Sequence, residues 1–276
     1  MDPDTAPVRP AEPAGGASAR HGDAVLRPVA PWTGSVHALL AHLRARGIDW
    51  VPEPRGVAPA PRAAGSVPTA PLAAGSAPTA SCAAGSAPTA PLAVVSWVEG
   101  EVPAYPMPAY VWEPAVLDRA AAMLRQLHDA TEGFDRSGRV WALPAREPAE
   151  VICHNDFAPY NLAFRDGLPV GAIDFEAASP GSRAWDLAYL AYRLVPLAHP
   201  SNPDLPPRPA APARLDRLCA AYGGIDPEDV LALVPERLRE LAASAPSDHA
   251  ERYLTDAGAL NPELFSLRPN NSRLDD

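Results

Sequence analysis

Residues 151–194 read VICHNDFAPYNLAFRDGLPVGAIDFEAASPGSRAWDLAYLAYRL, and this stretch decides the fold. Two short apolar segments, Asn161 to Phe164 and Val170 to Asp174, flank Asp166-Gly167, a dipeptide typical of hairpin turns. A third apolar segment, Val151 to Cys153, precedes them. The pattern predicts three short strands, of which the second and third form a hairpin.

Side chains that carry oxygen lie close to the ends of these strands. Asp156 follows the first strand, Asn161 comes five residues later, and Asp174 ends the third strand. A loop and a hairpin in this order can face each other and bring the three side chains together. Phosphoryl transfer uses a carboxylate to orient the acceptor hydroxyl, and it uses an amide and a second carboxylate to hold Mg²⁺. Each residue could separately be a turn former or a cap, but their combination favours this chemistry.

A helix is predicted directly after the hairpin. Ser182 can cap its first turn, and the helix extends to about Leu194. Apolar residues cover most of its circumference, so the helix should be buried. Asp186 lies on this helix and therefore needs a buried partner.

The motifs H-N-D-x-x-x-x-N, I-D-F-E and W-D-L-A, with the hairpin between the first two, resemble those of the aminoglycoside phosphotransferase and choline kinase superfamily. The resemblance is strong over residues 151–194 and weaker over residues 22–57 and 93–243. It implies an α+β, two-lobed, protein-kinase-like fold with a small truncated N-lobe and a mostly helical C-lobe.

The resemblance also implies roles for individual residues. Asp156 would be the catalytic base, or would at least orient the acceptor hydroxyl. Asn161 and Asp174 would bind Mg²⁺. His154 would be structural, and Asp186 would be the buried carboxylate that anchors the backbone of the catalytic loop.

The resemblance implies ATP or GTP as the nucleotide. Ser96, Trp97 and Val98 resemble the hinge, whose backbone groups bind the adenine edge. Trp97 could instead fill the core between the lobes. The strand lysine that grips the phosphates in the family cannot exist here, because all 23 basic residues are arginines. Arg27, on a short strand that Pro28 ends, is the candidate substitute.

The N-lobe departs from the family in two further respects. Gly15-Gly16 is the one remnant of a glycine-rich phosphate loop. The helix predicted from Thr33, its expected cap, to Gly47 contains no acidic residue that could pair with the strand cation.

Three copies of a decapeptide interrupt the N-lobe. Residues 63–92 read AAGSVPTAPL, AAGSAPTASC and AAGSAPTAPL, and these copies contain almost nothing large enough to bury. We therefore expect a disordered insertion over residues 59–92. The predicted organisation is a disordered tail over residues 1–22, an N-lobe over 23–98 that carries the insertion, and a C-lobe over 99–276.

Helices should make up most of the C-lobe. Pro114 starts an amphipathic helix, and two more are predicted over Ala213–Tyr222 and Asp226–Ala243. The last 25 residues lack clear periodicity.

Acids outnumber bases from His199 to Asp276. This charge would suit a cationic acceptor such as an aminoglycoside or an amino alcohol, although a solvated acidic surface explains the same charges.

Composition excludes several other classes of protein. The net charge of −10 argues against a nucleic-acid partner. No run of about 18 apolar residues exists, so no membrane partner is expected. Cys82, Cys153 and Cys219 are too far apart in sequence for a metal or disulfide pattern, which favours a reducing cytoplasm. We expect a monomer or a weak dimer.

Three hypotheses follow for the function. The first is a phosphotransferase that moves the γ-phosphate of ATP or GTP to a hydroxyl of a small molecule. The second is a catalytically impaired, nucleotide- or ligand-binding pseudoenzyme, which the incomplete N-lobe favours. The third is metal-dependent hydrolysis by the same oxygen ligands.

Overall fold

The computed structural model describes residues 18–59, 90–195, 197–202, 204 and 211–260. The decapeptide repeat lies outside these residues except for its last three positions, and Gly15-Gly16 lies outside them as well. Within the described ranges, no helix is long and apolar enough to cross a membrane.

The N-lobe is an antiparallel sheet packed against one helix. Its strands, in the spatial order β1-β2-β4-β3, are β1 Ala19–His21, β2 Ala24–Pro28, β3 Pro54–Ala58 and β4 Leu92–Ser96. Helix α1, Thr33–Ala45, buries one apolar side that includes Val36, Leu39, Leu40 and Leu43. Strand β1 lies inside the segment predicted as a disordered tail, because it can pair with β2 through a tight turn at Gly22.

Strands β3 and β4 are joined through the segment that contains the repeat. Val57 is paired with Ala93, and Ala58 is paired with Leu92. The chain therefore leaves the sheet at the end of β3 and returns to it directly opposite. Leu92, which we placed in the predicted insertion, is instead the first residue of β4 and is buried.

The C-lobe consists of five helices and two small strand pairs within the described residues. The helices are α2 Pro114–Thr131, α3 Arg183–Leu194, α4 Ala211–Tyr222, α5 Pro227–Ser244 and α6 Ser247–Ala259. The strands are β5 Val151–Cys153, β6 Leu162–Arg165, β7 Leu168–Ala172 and β8 Ser179–Gly181, with β5 paired to β8 and β6 to β7.

The sequence predicted most of these elements. Asp166 and Gly167 both have positive φ and form the expected turn of the β6–β7 hairpin. The hydroxyl of Ser182 caps α3 by accepting a hydrogen bond from the Trp185 N–H, and Asp226 caps α5 in the same way. The predicted α+β, two-lobed fold is confirmed.

Two local predictions were wrong. Thr33 does not cap α1, because it is already helical; its hydroxyl accepts a hydrogen bond from the Ala30 N–H. Helix α6 lies where no periodicity was expected. It buries only Tyr253, Asp256 and Ala257, a pattern too short to stand out in the sequence.

Candidate functional site

Asp186 anchors the backbone of the loop that follows β5. Its two carboxylate oxygens accept hydrogen bonds from the N–H of His154, at 2.6 Å, and from the N–H of Asn155, at 2.8 Å. The side chain is fully buried. Burial acts to raise the pKa of Asp186, but the hydrogen bond and charge of His128 oppose it, and with His154 they hold this pKa below its ordinary value. These are the contacts expected of the predicted anchor.

Asn155 shapes the same loop, and sequence reasoning gave it no role. Its φ of 62° is in the left-handed region, which asparagine tolerates better than most residues. Its amide nitrogen donates to the Ala177 carbonyl and to the Ser179 hydroxyl, both at 2.9 Å. The Asn155 carbonyl accepts from Arg237 of α5 at 2.6 Å. The loop is therefore held from three directions.

His154 is buried and links the loop to the hairpin. Its Nε2 donates to the Ile173 carbonyl at 3.0 Å, and its Nδ1 accepts from the Asp156 N–H at 3.3 Å. The roles of the two ring nitrogens are thus assigned from their partners. The ring centroid lies 4.6 Å from that of Phe175. These contacts make His154 part of the scaffold.

Asp156 stands at the centre of the candidate site. Its Oδ1 accepts a hydrogen bond from the Tyr160 hydroxyl at 2.6 Å, and its Oδ2 accepts one from the Asn161 amide at 2.8 Å. Burial raises the pKa of Asp156, and the nearby charge of Asp174 acts in the same direction, whereas the Tyr160 hydrogen bond opposes both. A carboxylate with a raised pKa is a stronger proton acceptor.

Asn161 connects Asp156 to the neighbourhood of Asp174. The Asn161 amide nitrogen is engaged by Asp156, which leaves the amide oxygen as the atom that could bind a metal. The main-chain carbonyl of Asn161 accepts a hydrogen bond from the N–H of Ile173 at 2.9 Å. Ile173 is the residue before Asp174. The predicted meeting of loop and hairpin is therefore present.

Asp174 follows β7 instead of ending it, because the strand stops at Ala172. Its φ of 66° is unusual for a residue other than glycine. About a third of the side chain is exposed. A partly exposed carboxylate and an amide oxygen are types of donor that Mg²⁺ accepts, so the chemistry of the residues present fits this metal.

Arg27 contacts Asp174 directly. Its Nη1 lies 2.6 Å from Asp174 Oδ1 and 3.8 Å from Glu176 Oε1. The indole N–H of Trp32 also donates to Glu176. Helix α1 carries no acid, and these carboxylate partners of Arg27 come from the C-lobe instead. The guanidinium that we expected to bind phosphate thus lies beside the expected metal ligand.

The three predicted hinge residues are brought together after β4. The Ser96 N–H donates to the Glu53 carbonyl at 2.8 Å, and the Trp97 N–H donates to the Asp23 carbonyl at 2.7 Å. Both N–H groups are therefore already bonded to backbone carbonyls of the N-lobe. Val98 has no such bond among the described residues, which makes its N–H the better candidate to meet a nucleotide base.

A cavity of about 220 Å³ lies against this hinge. It is lined by Ser96, Trp97, Val98, Glu99, Arg44, Asp49, Trp50, Val51, Arg165 and Val170. Neither Asp156, Asn161 nor Asp174 lines it. This cavity, as lined by the described residues, therefore does not include the oxygen cluster.

Two buried groups near the anchor have structural contacts. The Cys153 thiol donates to the Ser182 carbonyl, and burial raises its pKa well above the ordinary value, so it is a poor nucleophile. His128, Cys153 and Asp186 lie within 4.8 Å of one another. His128 already contacts Tyr222 and Asp186 through its two ring nitrogens. We therefore read this cluster as part of the loop anchor.

Comparison with known proteins finds similarity over part of the chain. Residues 135–241 match the model of the phosphotransferase enzyme family. The trifolitoxin immunity protein of Rhizobium leguminosarum bv. trifolii is 31% identical over 166 residues, which cover 58% of this chain and 51% of that protein. The chain thus spans about half the length of this curated relative.

Solved structures share the fold. An amicoumacin kinase in complex with AMP-PNP and Ca²⁺ has a TM-score of 0.55 at 13% identity, covering 87% of this chain and 82% of its own. A choline/ethanolamine kinase family protein from Mesorhizobium loti has a TM-score of 0.51 at 18% identity, covering 95% and 90%. These structures confirm the predicted fold, and the match of residues 135–241 to the family model bears out the predicted resemblance.

Proposed function

We propose that this chain is a phosphotransferase that moves the γ-phosphate of ATP or GTP to a hydroxyl of a small molecule. The observation that carries the proposal is the cluster of Asp156, Asn161 and Asp174. Asn161 donates to Asp156 through its side chain and accepts from the residue before Asp174 through its carbonyl. These two hydrogen bonds support a site in which one loop and one hairpin would present a base and two oxygen ligands.

Each residue of the cluster has a separate role in the proposed reaction. The acceptor oxygen forms a bond to the γ-phosphorus while the bond from that phosphorus to the nucleotide diphosphate breaks, and Asp156 takes the hydroxyl proton. Mg²⁺, bound by Asn161 and Asp174, would neutralise phosphate charge. Arg27 would add a fixed cation at the phosphates. His154 and Asp186 hold the loop in place.

The raised pKa of Asp156 sets the expected pH dependence. The carboxylate accepts a proton only when ionised, so activity should increase as pH rises through this pKa. The midpoint of this rise in activity should lie above pH about 3.9, the ordinary pKa of aspartate. It should flatten once Asp156 is fully ionised.

A transfer assay tests the proposal. Purified protein is incubated with Mg·ATP or Mg·GTP and a panel of aminoglycosides, amino alcohols and hydroxylated peptides, and phosphorylated products are detected by mass spectrometry. Antibiotics belong in the panel because one similar structure is an amicoumacin kinase and the similar curated protein is a toxin immunity protein.

The variant Asp156→Asn gives the decisive comparison. Turnover should fall by roughly 100-fold or more, while nucleotide affinity stays near wild type. Asp166→Asn is the matched control, because Asp166 lies in the hairpin turn and asparagine also tolerates its positive φ. Turnover of Asp156→Asn within about twofold of wild type would exclude this role.

A nucleotide-binding protein without transfer is the second candidate. The contact between Arg27 and Asp174 favours it, because in this arrangement each group neutralises the other. Thermal-shift measurements with Mg·ATP and Mg·GTP distinguish the two. Binding without product from any acceptor would support the pseudoenzyme, and transfer would exclude it.

A further inference from the structure

Asn155, the residue before the candidate base, is bound on both sides by charged groups from two helices. Its N–H donates to the Asp186 carboxylate of α3 at 2.8 Å, and its carbonyl accepts from Nη2 of Arg237 of α5 at 2.6 Å. A hydrogen bond in which one partner is charged is stronger than one between neutral groups. The backbone at Asn155 is therefore held between an anion and a cation.

The carbonyl that Arg237 contacts belongs to the peptide group that joins Asn155 to Asp156. The N–H of this peptide group donates to Nδ1 of His154 at 3.3 Å, a long bond, so the 2.6 Å contact with Arg237 is the stronger hold. Asn155 has a left-handed φ of 62°. Beside a left-handed residue a peptide group can turn over with little movement of its neighbours, as in the change between turns of types II and I. Arg237 opposes this rotation because it binds the carbonyl oxygen.

The guanidinium of Arg237 is itself held in one place. The residue is 2% exposed, and its Nη1 donates to the Glu240 carboxylate at 3.2 Å. Its guanidinium carbon lies 5.3 Å from the ring centroid of Trp185 and 5.1 Å from that of Tyr189. Its Nε has no hydrogen-bond partner among the described residues, so the two outer nitrogens carry its polar contacts. A planar, buried donor group of this kind is well suited to fix one carbonyl.

The two rings near this guanidinium are also fixed. Arg146 stacks on Trp185, with its guanidinium carbon 3.9 Å from the ring centroid. The Tyr189 hydroxyl contacts the Tyr160 hydroxyl at 2.6 Å and accepts from Arg193, four residues further along α3, at 3.0 Å. The arginine of α5 therefore reaches the loop from surroundings that leave it little freedom to move.

We propose that Arg237 is a positioning residue, which fixes the peptide group before Asp156 and so keeps the Asp156 carboxylate directed at the acceptor hydroxyl. The proposal rests on the proposed function, because it assigns Arg237 to the base of that reaction. Arg237 is 82 residues from Asn155 in sequence. Helix α5 thus takes part in placing the base, in addition to the anchor that Asp186 provides from α3.

Arg237→Met tests the contact, because methionine keeps much of the apolar length of the side chain but removes every donor. The kcat should fall by roughly 10- to 100-fold, the effect of a slightly misplaced catalytic group, while the KM for nucleotide stays within about twofold of wild type. Arg237→Lys keeps the charge and one donor group, so it should regain part of kcat. An unchanged kcat in Arg237→Met would overturn the proposal, whatever happens to KM.

Arg214→Met is the matched control. Arg214 lies on α4 and also donates to main-chain carbonyls, those of Leu194 and Trp112, both at 2.8 Å. Neither carbonyl belongs to the loop that follows β5. The control should keep kcat near wild type even where it lowers the melting temperature. A fall in kcat of the same size in both variants would indicate a general loss of structure and would overturn the specific role of Arg237.

A second readout needs no activity. The sequence contains one Asn-Asp dipeptide, Asn155-Asp156. Protein made by cell-free synthesis with ¹³C-carbonyl asparagine and ¹⁵N aspartate therefore gives a single signal in an NMR spectrum that correlates these two nuclei. A hydrogen bond to a carbonyl moves its ¹³C resonance downfield. The Asn155 signal should consequently lie further upfield in Arg237→Met than in wild type, and it should stay in place in Arg214→Met.

The NMR result separates this proposal from the proposed function. An upfield shift in Arg237→Met supports the positioning role even if no acceptor is phosphorylated, because the signal reports on the peptide group itself. The same signal position in wild type and Arg237→Met would overturn the proposal, whether or not transfer is observed. If Arg237→Met does not fold, the double variant with Glu240→Gln removes both members of the ion pair and is measured in its place, with the same expected shift.

Discussion

A β-carbon on Gly171 would lie 2.5 Å from Cγ1 of Val98. Gly171 belongs to β7, in the hairpin that ends before Asp174, and Val98 belongs to the predicted hinge. The same β-carbon would lie 3.0 Å from the Trp50 carbonyl oxygen. The absence of a side chain at Gly171 thus allows the hinge to pack directly on the hairpin.

Replacing Gly171 by alanine should therefore destabilise the protein. Neither the backbone oxygen nor the strand can move freely, and overpacking of this kind costs about 1–3 kcal/mol in the free energy of unfolding. Gly34→Ala is the control, because nothing lies within 4 Å of its β-carbon position in α1. That change should be neutral or stabilise by up to about 1 kcal/mol. Urea unfolding measures both, and equal values would contradict the close contact.

Asp186→Asn should destabilise the protein by about 2–5 kcal/mol at pH 7, because buried donors lose their charged acceptor. The lowered pKa of Asp186 gives the pH dependence. Its stabilisation is fully present above the unfolded value of about 3.9 and is lost as pH falls from there through the lower folded pKa. Asp118→Asn, at an exposed ion pair with Arg217, should cost under about 1 kcal/mol. Urea unfolding of wild type and Asp186→Asn between pH 3 and 7 measures the effect. A constant difference in the free energy of unfolding between these two proteins over that range would refute the prediction.

Asp174→Ala should abolish the Mg²⁺ dependence of nucleotide binding. The remaining predicted ligand, Asn161, is neutral and cannot balance the metal charge alone. Asn161→Ala should weaken the dependence less. Calorimetric titration with nucleotide at several Mg²⁺ concentrations measures the effect. An unchanged dependence in both variants would place the metal elsewhere.

Arg27→Ala should raise the dissociation constant of Mg·ATP by roughly 10- to 150-fold, the effect of one hydrogen bond between charged groups. Arg27→Lys should restore part of the affinity, because lysine keeps the charge but lacks the planar fork. Arg55→Ala is the control, since Arg55 lies on β3 of the same sheet and pairs with the exposed Asp23. Calorimetry that gives wild-type affinity for Arg27→Ala would remove Arg27 from the site.

Replacing residues 60–89 by Asn-Gly should leave the melting temperature unchanged or slightly higher. The paired residues Ala58 and Leu92 hold the flanking strands together, and a shorter connection has a lower entropic cost of closure. The replacement must keep Leu92, since this residue is buried in β4. A large loss of soluble yield or of melting temperature would show that the repeat packs on the fold.

The sequence predicted those parts of the fold that local pattern controls. The hairpin turn at Asp166-Gly167, the cap at Ser182 and the buried helix α3 follow from residues that are neighbours in the chain. Helix α6 did not follow, because a three-residue buried side gives little periodicity. Strand β1 was missed because three residues pair only when β2 is present.

In the candidate site, too, the sequence predicted the residues of a local motif and missed the contacts between distant residues. Asp156, Asn161, Asp174 and Asp186 stand in one compact motif, so their order and spacing made them candidates. The sequence did not predict the contacts between distant residues. Tyr160 is 29 residues from Tyr189 in sequence, and Arg27 is 147 residues from Asp174. The tyrosine and arginine on apolar α3 were the available signal, since a buried polar pair at this spacing requires partners.

The contact between Arg27 and Asp174 couples the two ligands of the proposed reaction. In the proposed reaction, a triphosphate bound to Arg27 would weaken the contact between Arg27 and Asp174, and a metal ion bound to Asp174 would weaken it as well. Each ligand would therefore reduce the counter-charge that competes with the other, which would give positive cooperativity between nucleotide and metal. By reciprocity, the factor by which Mg²⁺ tightens nucleotide binding equals the factor by which nucleotide tightens Mg²⁺ binding. The charge pair would keep the empty protein from retaining either ligand alone and favour their arrival as one complex.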